Sequence, residues 1–156
     1  MIENYTQPGK IVISDALSLV RYYPYYRRTF PWYQDLKLCK QVDNIDHPYD
    51  MERLRRMYSY LSKKGECYYV KYKDGSTWHL VGDVSLCGGA VSIVIAPEYQ
   101  NRHIGRAAIT GICRRAKEIG LSHLDAEIYS FNAQSRRTFE AVGFREIGPE
   151  RFRLNL

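Results

Sequence analysis

"GAVSIVIAPEYQNRHIGRAA" (89–108) decides how this chain is read. Its opening is an apolar, β-branched run that Pro97 stops, the pattern of a buried strand. A polar, cationic turn follows, crowding Gln100, Asn101, Arg102, His103, Gly105 and Arg106 together. Ile104, Ala108, Ile112, Ala116 and Ile119 then recur at helical spacing up to Gly120, which predicts a helix from about Arg102 to Ile119. A strand that runs straight into a helix leaves the first helical N–H groups unpaired, at the positive end of the helix dipole. Phosphate suits such an end. Gly105 permits close approach, and Arg102 and Arg106 add full charges. Neither G-x-x-x-x-G-K-[ST] nor G-x-G-x-x-G is present here. The turn alone therefore leaves two readings open, an anion site or a solvated connection.

On the N-terminal side, "ECYYVKYKDGSTWHLVGDVSL" (66–86) reads as two strands around Asp74-Gly75, a hairpin dipeptide. "MERLRRMYSYLSKKG" (51–65) carries Met51, Leu54, Tyr58 and Leu61 on one helical face, and ends in lysines and a glycine. "KIVISD" (10–15) predicts a strand entering a helix capped by Ser14 or Asp15. "RYYPYYRRTFPWY" (21–33) predicts a packed helical pair whose aromatics build core; an acceptor-binding wall and a nucleic-acid stacking surface are the other readings. No nucleic-acid motif accompanies it, which disfavours the last.

On the C-terminal side, "SHLDAEIYS" (122–130) predicts a strand with Asp125 and Glu127 on one side. Asn132 can cap a helix running to about Val142, with Gly143 at its end, and a terminal hairpin turns at Gly148-Pro149. The order is α+β: an antiparallel front, a β-α-β-α centre and a closing hairpin.

The chain has 156 residues, 45% hydrophobic and 26% charged, which fits one domain with a real core. Its net charge of +6 suits an anionic partner without choosing one. The polar opening "MIENYTQPGK" does not read as a signal peptide, and no apolar run reaches the roughly 20 residues that span a bilayer. A soluble, cytoplasmic protein without a membrane role is expected. Cys39, Cys67, Cys87 and Cys113 are widely spaced and lack histidines at ligand spacing, so neither a disulfide framework nor a metal site is expected.

Taken together, Gln100-x-x-His103-x-Gly105 after "IVIAPEY" and "NAQSRRTFEAVGF" (132–144) downstream resemble the GNAT superfamily of acetyl-CoA-dependent N-acetyltransferases. Its turn reads Q/R-x-x-G-x-G/A, and its later element roughly N-x-x-A/S-x-x-x-Y-x-x-x-G-F. The resemblance implies a GNAT fold, a central mixed but mostly antiparallel sheet flanked by helices, over a single domain 1–156. Residues 84–147 would be the acetyl-CoA-binding core and 1–65 the variable substrate-facing part. Glu127, five residues before Asn132, is similar in placement to a glutamate of the ribosomal-protein alanine N-acetyltransferases.

Carried over residue by residue, the resemblance makes Ile93, Val94 and Ile95 the strand that pairs with the pantetheine arm. A strand amide around Val94 or Ile95 would face the thioester carbonyl. Asn101, Arg102, His103, Ile104, Gly105 and Arg106 would surround the diphosphate, and Asn132 would touch the arm near its reacting end. Two positions depart from the pattern. His103 stands where glycine is usual, and Phe139 replaces the tyrosine that donates a proton to the departing thiolate. Tyr129 or Tyr99 would then serve, or the thiolate leaves unassisted, which a thiol pKa of ~8.5 permits.

The implied reaction is direct attack by a primary amine on acetyl-CoA in a ternary complex, with no metal. Deprotonating a lysine amine at pH 7 costs roughly 4–5 kcal/mol, an α-amine about 1. Glu127 is the expected base, with Asp83 and Glu98 behind it. The acceptor stays open between a small molecule and a protein amine, and the resemblance leaves room for a homodimer. A non-catalytic acyl-CoA sensor or scaffold of the same fold is the alternative, because Phe139 cannot donate a proton.

Overall fold

A computed structural model describes residues 6–156; the first half of the polar opening stretch lies outside the described residues. Lys10–Ser14 (β1) and Leu17–Arg21 (β2) form an antiparallel hairpin in place of the expected strand and helix. The correction has a plain cause. Leu17 and Leu19 alternate at a period of two and bury completely or nearly so, and β2 finds a second partner in β3 (Gly65–Asp74). Ser14 Oγ accepts the Ala16 N–H inside the turn rather than capping a helix.

Residues 21–33 are likewise not a helical pair. Tyr26–Thr29 (α1) is a single turn that runs into a 3₁₀ segment, Phe30–Gln34, with Pro31 in its first turn. Trp32 and Tyr33 are buried, while Tyr23 and Tyr25 stay exposed. An unforeseen helix follows, Leu36–Asp43 (α2), capped by Asp35 through the Leu38 N–H. Met51–Lys64 (α3) keeps its expected bounds, with Asp50 as cap and Leu54 and Tyr58 buried.

β3 and Thr77–Cys87 (β4) pair over their whole length around the Asp74–Thr77 turn, where Gly75 has φ +66°. Ala90–Ile95 (β5) then pairs antiparallel with β4. Beyond it come Ile104–Glu118 (α4), His123–Glu127 (β6), Ala133–Val142 (α5), Arg145–Gly148 (β7) and Arg151–Asn155 (β8). The sheet order is β1-β2-β3-β4-β5-β6-β8-β7, and every contact is antiparallel except β5–β6.

That exception shapes the molecule. β5 and β6 share one ladder pair, Ala90–Asp125, before they separate. A parallel pair needs a crossover, which α4 supplies. Ile104, Ala108, Ile109, Ile112 and Ala116 bury it against the sheet, and Ile13 and Leu19 press on Gly111 from the far end. A Cβ at Gly111 would lie 2.8 Å from Ile13, so only glycine fits there without a shift. No helix of the described residues is long and apolar enough to cross a membrane.

Candidate active site

The opening between β5 and β6 leads to the start of α4. Gln100 Nε2 donates to the Ile95 carbonyl at 2.9 Å, so Ile95 turns its peptide groups away from β4. Ala96 donates to Val81 of β4. The two-residue period of a strand therefore aims Ile93 and Ile95 into the opening and Val94 back at β4. An extended chain carrying its own amides could pair with that edge. For a developing oxyanion, the amides of Ile93 and Ile95 are available, whereas that of Val94 is turned toward β4.

At the far end, α4 starts without a side-chain cap, unlike α2, α3 and α5. His103, its first flanking residue, is left-handed (φ 62°), as is Asn101 (φ 64°). Ala107 is the first N–H to bond back, to the His103 carbonyl at 3.2 Å. The amides of Ile104, Gly105 and Arg106 precede it and are left for an outside acceptor. The left-handed residues delay the helix by two positions from the expected start at Arg102.

A cleft of about 360 Å³ joins these two features. Ile93, Val94, Ile95, Asn101, His103, Ile104, Gly105, Arg106 and Asn132 all line it. Its charged lining is cationic, Arg106 and Arg137 with no carboxylate. His103 Nδ1 lies 3.0 Å from the Arg106 guanidinium, which can only donate, so the ring nitrogen accepts. Arg102 turns away: it donates to the Glu98 carbonyl, lies 3.6 Å from Asp74 and covers the Tyr99 ring.

Asn132 does two things. Its Oδ1 caps α5 through the Ser135 N–H at 3.1 Å, and its Nδ2 reaches the Gln41 carbonyl of α2. That second contact brings Leu38, Gln41 and Val42 to the cleft wall. No sequence signal announced them, since they arrive by tertiary packing. Gln134, Arg137 and Thr138 also line the cleft, and their i, i+3, i+4 spacing beside Asn132 was a readable signal. Phe139 lines it as well, buried and edge-on to Phe144 at 5.1 Å.

Glu127 and Tyr129 are not part of this lining. Ladder partners share a face, so Ala90, Ser92 and Val94 face the same way as Asp125, Glu127 and Tyr129, on the side of the sheet opposite α4. On that side Arg153 grips Asp125 through two bonds of 2.7 and 3.1 Å, which hold its carboxyl below the usual range. Glu127 is exposed and has no ion pair among the described residues. Burial, with the Glu127 carboxylate beside it, holds the Tyr129 hydroxyl above the ordinary phenol range. Its ring stacks on Phe131 at 5.5 Å. Tyr99 lines the cleft itself, buried between Tyr72 and Arg102.

The family profile "Acetyltransferase (GNAT) family" matches residues 29–144. The chain belongs to the GNAT acetyltransferase family. A domain from Methanocaldococcus jannaschii superposes with a TM-score of 0.76 at 20% identity, covering 90% of this chain and 98% of that one. Spermidine N-acetyltransferase from Vibrio cholerae, in complex with CoA and spermine, gives 0.75 at 17%, covering 91% and 96%. AAC(6')-Ib, in complex with ribostamycin and coenzyme A, gives 0.72 at 10%, covering 90% and 94%. At these identities they show the fold. No curated protein sequence matches the chain.

Proposed function

We propose that this GNAT protein moves an acetyl group from acetyl-CoA to a primary amine, by direct attack within a ternary complex in the cytoplasm. One observation carries the reading: the open β5 edge leads, through a carboxylate-free cleft, to an uncapped helix start. A chain bearing amides at one end and a diphosphate at the other matches both. The diphosphate would take the Ile104–Arg106 amides, with Arg106 beside it. The arm would pair with Ile93 and Ile95, and the thioester carbonyl would meet one of their N–H groups. That the V. cholerae neighbour is described with CoA and spermine fits an amine acceptor.

On the opposite side of the sheet, Glu127 would take the amine's proton, directly or through water. Tyr129, still protonated at neutral pH, would return one to the thiolate. Phe139 cannot do so, and its edge-on packing against Phe144 is what favours the second reading, an acyl-CoA-binding module without turnover. Calorimetry with acetyl-CoA followed by thiol release on an amine panel separates the two. Turnover that falls about 10²-fold in Glu127→Gln, with cofactor affinity kept, supports transfer; binding without turnover on any amine leaves only the module.

A further inference from the structure

Among the described residues two carboxylates are buried, Glu66 and Asp83, and they are treated differently. Glu66 is gripped by the Arg115 guanidinium at 2.8 and 3.0 Å. Asp83, on β4, has no ion pair among the described residues; its Oδ2 accepts the hydroxyls of Tyr33 (2.7 Å) and Tyr58 (2.8 Å). The titratable groups facing it are Tyr33 from the 3₁₀ segment, Tyr58 from α3, and Tyr69 and Cys67 from β3. Burial pushes all four up, so none carries charge at neutral pH. A desolvated carboxylate without a counter-charge is costly, and proteins rarely keep one unless something pairs with it.

The second oxygen shows where that partner comes from. Oδ1 accepts no hydrogen bond among the described residues. Thr29 Oγ1 is their one side-chain polar atom that is both sealed from water and unpartnered. Asp83 Oδ1 therefore keeps a trace of accessible surface, although the residue is only 5% exposed. Its ladder partner is Val94, which lines the cleft. Partners share a face, so Asp83 and Val94 point to the side that also carries Ser92 and Glu127. The bare oxygen thus sits beside the strand proposed to hold the acyl group, on the side opposite α4.

We infer that Asp83 is the counter-ion for the acceptor: the amine enters as an ammonium ion and its charge pairs with Asp83 Oδ1 next to β5, before Glu127 removes the proton. This rests on the proposed acetyl transfer and narrows it to cationic primary amines. Burial raises the Asp83 carboxyl to about 6, against the bonds from Tyr33 and Tyr58 that lower it, so the group is charged at pH 7 and neutral below about 6. Acceptor capture fails on the acid side of that value.

The test is steady-state thiol release with alkylamines, diamines and lysine peptides, against an aromatic amine uncharged at pH 7, for wild type, Asp83→Asn and Tyr58→Phe. Asp83→Asn should raise KM for the cations about tenfold or more while kcat stays within about threefold, and leave the aromatic amine's KM unchanged. The acid limb of kcat/KM near pH 6 should vanish with it. Tyr58→Phe should move that limb upward, since one stabilising donor is gone. Calorimetry with acetyl-CoA reports whether each variant keeps the cofactor site; if Asp83→Asn does not, the limb shift in Tyr58→Phe decides. An unchanged KM and limb in Asp83→Asn, an unmoved limb in Tyr58→Phe, or a wild type that prefers the aromatic amine overturns the inference alone. A wild type that binds acetyl-CoA and acetylates nothing overturns the transfer reading and this with it.

Discussion

The two sides of the sheet leave opposite kinds of polar group open. On the α4 side the open groups are backbone: the peptide groups of Ile93 and Ile95 and the first amides of α4, with arginines on the rim and no carboxylate in the lining. On the other side the open groups are side-chain carboxylate oxygens, the exposed Glu127 on β6 and the unbonded Asp83 Oδ1 on β4. Backbone groups recognise any chain of the right shape and charge. A side-chain oxygen can be placed at one point and aimed at one atom. The difference teaches that the first surface is set by topology and the second by single side chains.

The hardest test of the first surface is Gly105. A Cβ there would lie 3.7 Å from Thr138 and 3.8 Å from Ile95, ordinary contacts, so Gly105→Ala should fold and bind acetyl-CoA nearly as well as wild type. Gly105→Glu would extend a carboxylate into a cleft whose charged lining is Arg106 and Arg137. Calorimetry should show acetyl-CoA affinity falling at least about 100-fold, about 2.7 kcal/mol. If the glutamate variant binds normally, the diphosphate is not at the start of α4.

The second surface is tested without any acceptor. Asp83 ionises at about 6 in the folded chain against 3.8 unfolded, so the native state holds the proton more tightly. Its contribution to stability is therefore present at low pH and lost as pH rises through about 4 to 6. Denaturant unfolding of Asp83→Asn should lack that loss. The stability difference, variant minus wild type, should grow by about 2 kcal/mol between pH 4 and 7. A flat difference would mean the charge is already compensated, which would remove the reason for a cationic acceptor.

The same contrast explains what could be read in advance. The β5–α4 turn and the helix capped by Asn132 depend on local chemistry: a proline stop, a glycine, a cap, and apolar side chains at helical spacing. They were legible, as were α3 and the Asp74-Gly75 hairpin. The N-terminal segment was not. Leu17 and Leu19 form a strand because β3 is beside them, and Pro31 turns the tyrosine run into a 3₁₀ segment instead of a helix. Asp83 could be named from the sequence as a carboxylate in a strand, but its missing counter-charge could not. That depends on Tyr33 and Tyr58 arriving from elements 50 and 25 residues earlier. Leu38, Gln41 and Val42 were invisible for the same reason, because α2 reaches the cleft through Asn132.

The smallest effect separates two arginines that look equivalent in sequence. Arg102 sits inside the turn motif, yet its guanidinium is taken up by Asp74, the Glu98 carbonyl and the Tyr99 ring, and it does not line the cleft. Arg137 lies outside the turn, on α5, has no ion pair among the described residues and does line it. The turn motif points to Arg102 and Arg106 for the phosphate, whereas Arg106 and Arg137 are the arginines that line the cleft. Arg137→Ala should weaken acetyl-CoA binding by about 0.5–1 kcal/mol, roughly two- to fivefold, with the loss shrinking as salt screens an exposed charge. Arg102→Ala should change affinity by less than about twofold at any ionic strength, because its charge is already engaged elsewhere. Titrations of both variants at two salt concentrations decide it, and the reverse ranking would show that the turn reorganises around the cofactor and draws Arg102 off Asp74.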